Sequence, residues 1–399
     1  MKGQIYLSSR ECVPEGYTPT CRYSSHGGIP GTESACLFPI FDGNILLYGH
    51  QRCWTGPPIP FHQVYPVPAV RTSRPAGRVA PSRDGCGRMR YCAQPEKLLE
   101  YRDVNRAIEA VFREHGEGGV QMPPKVYITF PTGDFRTMPA FLPAMDIAGV
   151  KIVNVHPGNR EHGLPTVMAL TILIDPESGV PRAVLNATSL TDMRTGAAGA
   201  VAAKFLSPKR EVTVGVIGSG RQAEAQVRAL AEELRITRIR FWSREEKNAE
   251  VLASRFREFD ASASGLERAC DADVVITTTP SREPLVQDGW IHAGTHINAI
   301  GADAPGKEEL DPRILLRARV FVDDMAQAVH SGEVNVPIAR GLFSPDQIAG
   351  TLGEVVTGRK RRERKEEITV FDSTGLAIQD LAIARLALEG AEWIELPFP

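Results

Sequence analysis

Apolar residues recur at different spacings in different parts of the chain. Residues 1 to about 88 show neither a helical nor a strand period and are rich in Pro, Gly, Ser and Arg, a composition that does not build a buried core. Three interpretations are open for them: a disordered extension, a small cysteine domain, or sequence translated from upstream of a natural start at Met89. We favour the third interpretation and expect order to begin near Pro95.

The next hundred residues predict a helix followed by a sheet. Residues 95–119 carry one apolar helical face and end in glycines that stop the helix. That face consists of Leu98, Val104, Ile108, Val111 and Phe112. Short β-like segments, separated by Pro, Gly and Asp, then predict an antiparallel sheet. They span residues 125–130, 149–156, 166–175 and 181–188. A helix of small residues, 190–206, suits close packing.

From residue 211 onward, predicted strands and helices alternate. "EVTVGVIGSG", "ITRIRFWS", "DVVITTTP", "THINAIGAD" and "ARVFVDD" have strand patterns, and the first two are each followed by a helical pattern. Alternation of this kind is typical of a parallel doubly wound sheet. We therefore predict an α/β fold with a Rossmann domain over residues 206–371. An α+β dimerisation and substrate domain would combine residues 89–205 with residues 372–399.

Composition narrows the class of partner. A net charge of −2 with 24% charged residues gives no electrostatic preference for nucleic acid or membrane surfaces. The sequence has no apolar run near the ~20 residues that span a bilayer and no signal-peptide pattern. We expect a small-molecule partner and a cytoplasmic location. Six of the seven cysteines lie in the first quarter without a Cys-x-x-Cys pair, so we predict no metal site.

A glycine-rich turn carries the strongest chemical signal. Gly218, Gly220 and Ala223 form a G-x-G-x-x-A pattern between an apolar strand and a helix. Glycines there let the backbone approach a pyrophosphate, which binds the unpaired N–H groups of the helix N-terminus. The pattern predicts dinucleotide binding.

The end of the next strand bears on the choice of cofactor. Ser243 and Arg244 stand where NAD-binding proteins place an acid that binds the ribose 2′-hydroxyl. A hydroxyl followed by a guanidinium suits a 2′-phosphate better. We predict NAD or NADP, with a preference for NADP. The alternative is that Arg244 is only a solvated residue of the first helical turn.

Four cations stand in apolar or Gly/Pro surroundings ahead of this domain. They are Lys125, Arg136, Lys151 and Arg194. A buried charge is costly without an anion, so together they suggest a clamp for a substrate carboxylate. Each one alone could instead be a snorkelling or ion-paired side chain.

Three other groups of ionisable residues have a structural interpretation, and for Asp303 a chemical role is also open. His156 precedes a proline in a turn and is expected to be structural. The basic run at residues 359–365 is interleaved with acids and lacks aromatics, so we expect a solvated loop rather than a nucleic-acid site. Asp303 ends a buried strand, either as a reactive carboxylate or as the cap of a helix in "PGKEEL".

The motifs resemble those of the ornithine cyclodeaminase and mu-crystallin family. The resemblance covers residues 95–399 and is carried, in order, by "MPPKVYI", "DFRTMPA", "GVKIVNVHPGN", "GLPTVMAL", "MRTGAAG", "GVIGSGRQA", "TTTPSREPLV", "HINAIGADAPGKEEL", "VDD" and "EITVFDSTGLAIQD". Several of these blocks look most like the archaeal-type alanine dehydrogenase branch. Two features depart from the family: the long lead before residue 89, and Ser243 with Arg244 in place of an acid.

The resemblance implies a homodimer and an active site between the two domains. It implies that Lys125, Arg136, Lys151 and Arg194 surround the substrate carboxylate and carbonyl, with Asp303 as the acid or base. We count Lys125 and Lys151 with Asp303 as catalytic candidates. Expected cofactor contacts also come from strand ends and the glycine-rich turn: Arg221, Gln222, Thr278, Thr279, Pro280, Ser281, Ile300, Gly301, Ala302, Ser373 and Thr374.

The resemblance implies NAD(P)-dependent oxidative deamination of L-alanine to pyruvate and ammonia. Ornithine cyclodeamination uses the same machinery and is the nearest alternative. A ketimine or imino-acid reductase is a third candidate. A protein that holds NADP without turnover, like some mu-crystallins, belongs to a different class of function.

Overall fold

The first part of the described chain forms a sheet backed by helices. The computed structural model describes residues 87–390 and 392–398. Up to residue 206, its elements are β1 (Gly87–Cys92), α1 (Tyr101–Gly116), β2 (Val126–Phe130), β3 (Gly133–Leu142), β4 (Ile147–Val155), β5 (Val167–Ile174), β6 (Pro181–Asn186) and α2 (Thr188–Leu206). Of the segment 1–88, residues 1–86 and their five cysteines lie outside the described residues. The expectation that order begins near Pro95 is wrong, because β1 begins at Gly87.

The four predicted strands correspond to β2, β4, β5 and β6. Two strands were not predicted: β3, because Pro139 in its middle resembles a turn signal, and β1, because its surroundings lack a strand period. Val104, Ile108, Val111 and Phe112 are buried on α1 as predicted. Leu98 was predicted wrongly: it lies in a 3-10 turn before α1, and 62% of it is exposed.

Strand alternation gives this sheet two different faces. On β3, Met138, Ala140 and Leu142 are buried, and the residues between them are only partly buried. The buried face contacts α2 and a C-terminal helix described below. The opposite face carries Val126, Ile128, Phe130 and Leu170, which are 41% to 56% exposed. No element among the described residues covers these four side chains.

The second part of the chain forms a parallel sheet. Its elements are β7 (Glu211–Ile217), α3 (Arg221–Ala231), β8 (Arg235–Trp242), α4 (Glu246–Ala253), β9 (Asp260–Ala263), α5 (Leu266–Cys270), β10 (Val274–Thr277), β11 (Arg282–Val286), β12 (His296–Ala299), β13 (Glu308–Leu310), α6 (Pro312–Arg317), β14 (Arg319–Val322), α7 (Met325–Ser331), α8 (Asn335–Ala339), β15 (Ile348–Thr351), α9 (Leu352–Val356) and β16 (Thr369–Asp372).

Eight of these strands pair in the order β15-β14-β16-β12-β10-β7-β8-β9. All of the pairings are parallel. The predicted doubly wound sheet is confirmed. Its strand order reverses between β7 and β10, and ligands of such sheets bind at this crevice, beyond the carboxyl ends of the strands. The short strands β11 and β13 pair beside it.

The chain then returns from the parallel sheet to the first one. After β16, α10 (Ala377–Ala387) packs on β3 and β4, and β17 (Ile394–Phe398) pairs with β1. The first sheet therefore has the order β17-β1-β6-β5-β4-β3-β2. Its pairs are antiparallel except β1 with β6. The predicted domain boundaries stay a prediction.

Close packing and buried polar contacts join the two sheets. An added Cβ at Gly196 on α2 would lie 2.5 Å from the backbone oxygen of Ala225 on α3, so the small-residue helix packs as tightly as predicted. The expected solvated loop at residues 359–365 is wrong for Arg362. Its half-buried guanidinium donates to Thr369 Oγ1 at 2.8 Å and to the backbone oxygen of Leu206.

The described helices include none that is both long enough and apolar enough to cross a membrane. The expected cytoplasmic location stays a prediction. Within the same residues, no group of three His, Cys, Asp or Glu side chains converges in an arrangement that could hold a metal ion.

Candidate active site

The glycine-rich turn joins β7 to α3 and leaves an open cradle. Gly218 has a φ of 127°, and an added Cβ would lie 2.4 Å from Thr278 Oγ1. Gly220 precedes α3 without a side-chain cap, and an added Cβ there would meet nothing within 4 Å. The unpaired N–H groups of the first helical turn are therefore available to an anion. Since Ala223 is fully buried beneath the turn, these residues fit a dinucleotide pyrophosphate.

The side chains of Arg221 and Gln222 bind a residue of α2. Both contact Asp192 on α2, Gln222 Nε2 at 2.8 Å. Their predicted cofactor contacts would therefore come from their backbone N–H groups. Asp192 was not predicted as a site residue, because nothing in the helix pattern distinguishes it from a solvated residue.

Ser243 lies next to the turn at the end of β8. Its Oγ accepts a hydrogen bond from Ser219 Oγ at 2.9 Å. Arg244 is exposed and makes no hydrogen bond or ion pair with other described residues. A free guanidinium beside a hydroxyl can bind a phosphate on the ribose that follows the pyrophosphate.

The other predicted cofactor residues lie at the carboxyl ends of β10, β12 and β16. Ser373 donates its backbone N–H to the oxygen of Ala299 at 3.0 Å, which ties two of these ends together. Ile300, Ala302, Ser373 and Thr374 are buried, whereas Pro280 is exposed. Thr278, Thr279 and Ser281 are partly buried, as is Gly301.

The cations of the first sheet share one face because of strand register. Arg136 on β3 lies opposite Tyr127 on β2, and Lys151 on β4 lies opposite Met138 on β3. Since side chains two residues apart point the same way, Arg136 and Lys151 are on the same, helix-covered face. Lys125, just before β2, interacts electrostatically with the other three predicted cations. The structure thus brings all four together.

Arg136 is held from two sides. Its Nε and Nη2 bind the Asp134 carboxylate at 2.6 Å and 3.1 Å, and Nη1 binds Asp303 Oδ2 at 3.2 Å. The Tyr127 ring lies 5.2 Å from the guanidinium carbon. The outer edge of the guanidinium is therefore the part that remains for a substrate carboxylate.

Lys151 and Arg194 share one carboxylate. Asp380 Oδ1, from α10, accepts from Lys151 Nζ at 2.8 Å and from Arg194 Nε at 2.9 Å. Arg194 Nη1 also donates to Gln379 Oε1 at 2.7 Å. Lys151 is only 1% exposed, and burial together with Arg194 lowers its pKa to about 7. The ion-paired alternative holds for these two cations, and their contact with substrate stays a prediction.

Lys125 has a different partner. Its Nζ donates to the backbone oxygen of Thr374 at 2.6 Å. Burial lowers its pKa to about 8, although Asp323 and Asp303 favour the charged form. Asp323 accepts from the backbone N–H groups of Thr374 and Gly375, both at 2.7 Å. Burial raises the pKa of Asp323 to about 6 despite the neighbouring Lys125.

Asp303 connects the two sheets. It follows β12, and its Oδ1 accepts from Lys307 Nζ at 2.5 Å while Oδ2 accepts from Arg136. Burial opposes its ionisation, but Lys307 and Arg136 hold its pKa well below the usual range. The helix-cap alternative is wrong, because residues 304–307 form a turn that leads into β13. Asp303 is a partly exposed carboxylate facing the cation cluster.

Four neighbouring side chains were missed by the sequence analysis: Lys307, Asp323, Gln379 and Asp380. All four stand inside the quoted motifs, in "GKEEL", "VDD" and "GLAIQD". A carboxylate in the apolar helix "GLAIQDLAIARLA" was a usable signal, because a buried charge requires a partner.

His156, which was expected to be structural, stacks on Phe130 with ring centroids 6.0 Å apart.

Comparison with known proteins identifies the family to which this fold belongs. Residues 87–393 match the model of the ornithine cyclodeaminase/mu-crystallin family. The protein belongs to this family. The resemblance predicted from the motifs is thereby confirmed.

Individual relatives match about three quarters of the length of this chain. An alanine dehydrogenase of Archaeoglobus fulgidus is 50% identical over 299 residues, which are 74% of this chain and 92% of the relative. The solved structure of an archaeal alanine dehydrogenase dimer with bound NAD has a TM-score of 0.75 at 47% identity, covering 77% of this chain and 99% of that one. Thermococcus litoralis Δ1-pyrroline-2-carboxylate reductase, solved with NADH and L-proline, gives 0.73 at 34% identity, covering 75% and 97%.

The shared carboxylate of Asp380 generates a stability prediction. Asp380→Asn would leave Lys151 and Arg194 as neighbouring buried cations, so we expect a loss of about 3 kcal/mol in the free energy of unfolding. Denaturant unfolding measures the loss. Glu389→Gln, which breaks the exposed pair with Arg385, should cost less than about 0.5 kcal/mol. Equal effects of the two substitutions would contradict the assigned role of Asp380.

Proposed function

We propose that this protein is an NAD(P)-dependent amino-acid dehydrogenase that interconverts L-alanine with pyruvate and ammonia. The carrying observation is the Arg136–Asp303 contact, which brings a cation cluster on one sheet against a carboxylate at the strand ends of the nucleotide sheet. The 50% identity to an alanine dehydrogenase supports this substrate.

The reaction divides between cofactor and protein. When bound, the oxidised cofactor would supply the acceptor for a hydride from the substrate α-carbon. Water adds to the resulting imine, and ammonia leaves as the carbonyl forms. In this proposal, Lys125 and the outer edge of Arg136 hold the substrate carboxylate and so fix the α-carbon in place. Lys151 and Arg194, which lie next to Lys125 in the cation cluster, add positive charge that favours binding of the substrate carboxylate.

In this proposal, Asp303 takes the proton from the amine or from the attacking water. In the described chain its low pKa makes it a weak base, because Lys307 and Arg136 both bind it. A substrate carboxylate on Arg136 would share that positive charge. The pKa of Asp303 would then move upward, toward the range in which it can accept a proton.

The alternatives use the same residues and differ in net redox change. With alanine, reduced cofactor accumulates and its absorbance rises. With ornithine cyclodeamination, ammonia is released without net reduction of the cofactor. The 34% identity to a pyrroline-carboxylate reductase favours a cyclic imine as the second candidate substrate. Oxidation of NADPH by a cyclic imine, faster than by pyruvate with ammonia, would replace alanine dehydrogenation as the proposal.

Cofactor choice follows from the end of β8. We propose that NADP is bound at least as well as NAD, since the free Arg244 and the Ser243 hydroxyl can both bind a 2′-phosphate. The absence of a carboxylate at these two positions removes the charge repulsion that would exclude NADP.

A second copy of the chain is the proposed partner of the first sheet. Val126, Ile128, Phe130 and Leu170 expose apolar side chains on its open face. An apolar area of this kind marks an interface. The relative with a TM-score of 0.75 is a dimer, which supports a homodimer built through this face.

The role of Asp303 is tested by Asp303→Asn. The amide keeps the shape and cannot accept a proton, so we expect kcat for alanine to fall by about a hundredfold or more. Binding of the reduced cofactor should stay within about twofold, which separates chemistry from folding. Full turnover in this variant would remove Asp303 from the mechanism.

The cofactor proposal predicts the effect of Arg244→Ala. Loss of the guanidinium should raise KM for NADP about tenfold and leave KM for NAD nearly unchanged. Arg257→Ala, at another exposed arginine, should change neither value. A wild-type protein that clearly prefers NAD would contradict the phosphate role of Arg244.

The dimer proposal predicts that Ile128→Glu yields monomers. A carboxylate in place of Ile128, on the edge strand of the open face, would be buried without a cation in such an interface. Light scattering at micromolar concentration measures the mass. Leu316→Glu, at an exposed leucine on α6, is the matched control and should stay dimeric. A dimeric Ile128→Glu protein would place the interface elsewhere.

A further inference from the structure

Glu309 is a fully buried carboxylate beneath the strand ends of the nucleotide sheet. It lies on β13 and accepts four hydrogen bonds. Oε1 accepts from the backbone N–H and the Oγ1 of Thr279, at 2.6 Å and 2.7 Å. Oε2 accepts from Thr277 Oγ1 at 2.7 Å and from the backbone N–H of Gly301 at 2.8 Å.

These contacts join two separate loops. Thr277 and Thr279 belong to the end of β10, and Gly301 follows the end of β12. An added Cβ on Gly301 would lie 2.2 Å from the backbone oxygen of Thr279 and 2.5 Å from Glu309 Oε2. The loops are therefore in direct contact, and the Glu309 carboxylate sets their separation.

The two loops joined by Glu309 lie where the nicotinamide half of a dinucleotide would bind. The glycine-rich turn after β7 fits the pyrophosphate, and β8 beside it leads to the adenosine side. The ends of β10 and β12 lie on the other side of the strand-order reversal, where the second half of a dinucleotide binds. Asp303 lies two residues beyond Gly301, so the same loop carries the proposed base.

Glu333 offers a natural comparison. It is as deeply buried as Glu309, and its Oε1 accepts from the backbone N–H groups of Glu309 and Leu310, at 2.8 Å and 2.6 Å. It holds the backbone of β13 and makes no hydrogen bond to either loop. Because one oxygen of Glu333 accepts both bonds, the amide oxygen of a glutamine there can keep them.

We propose that Glu309 is a positioning residue for the nicotinamide end of the bound cofactor, acting by fixing the loops after β10 and β12 against each other. Its backbone N–H donors can be satisfied only by an acceptor, and both carboxylate oxygens are used. This proposal rests on the cofactor-binding part of the proposed function and is independent of alanine as the substrate.

The test is Glu309→Gln, with binding measured by titration of protein fluorescence. The amide nitrogen cannot accept, so at least one loop donor is left unpaired. We expect the Kd for NADH or NADPH to rise about tenfold, the factor for about one lost net hydrogen bond. The Kd for ADP-ribose, or its 2′-phosphate form, should stay within about twofold because it lacks the nicotinamide.

The controls separate positioning from folding. Glu333→Gln should leave both Kd values within about twofold. Thr277→Val removes only the hydrogen bond from Thr277 Oγ1 to Glu309 Oε2 and should weaken NADH binding about threefold without affecting ADP-ribose, so it decides the case if Glu309→Gln does not fold. Equal weakening of both ligands, or of neither, would overturn the proposal. A wild-type chain that binds neither NADH nor NADPH would overturn the cofactor assignment, and this proposal with it.

Discussion

The buried cations of the first sheet depend on carboxylates that come from the far end of the chain. Lys151 is almost completely buried, and the energy needed to remove an ammonium group from water is several kcal/mol. Asp380, on α10, supplies the compensating charge to Lys151 and Arg194 together. Because α10 follows directly from the last strand of the nucleotide sheet, this interaction also fixes the position of that sheet relative to the cations.

Asp303 makes the reciprocal connection. It extends from the nucleotide sheet and binds Arg136 on the first sheet, so each sheet contributes charge to a contact with the other. Substrate binding between them would change these contacts rather than add to a preformed empty clamp. In the proposed mechanism, a substrate carboxylate that binds Arg136 would raise the basicity of Asp303 when a base is needed. Substrate binding and proton transfer would then be coupled through the Arg136 guanidinium.

Local patterns predicted the elements well, and distant partners poorly. The alternation of apolar segments predicted the parallel sheet, and the glycine-rich turn has the geometry its spacing required. β3 was missed because Pro139 is read locally as a turn, although its place in the sheet is decided by β4 beside it. Leu98 fitted the helical period, but Pro95 starts a separate turn. Asp380 could not be assigned to Lys151, since 229 residues separate them.

Charge balance bears on the choice between alanine and ornithine. The cations of the site are already paired with its own carboxylates: Asp134 and Asp303 bind Arg136, Asp303 also binds Lys307, and Asp380 binds Lys151 and Arg194. Ornithine would bring an additional ammonium group, and its obvious acceptor, Asp303, is already bound by Lys307 and Arg136. The electrostatics therefore favour an amino acid with an uncharged side chain, in agreement with alanine.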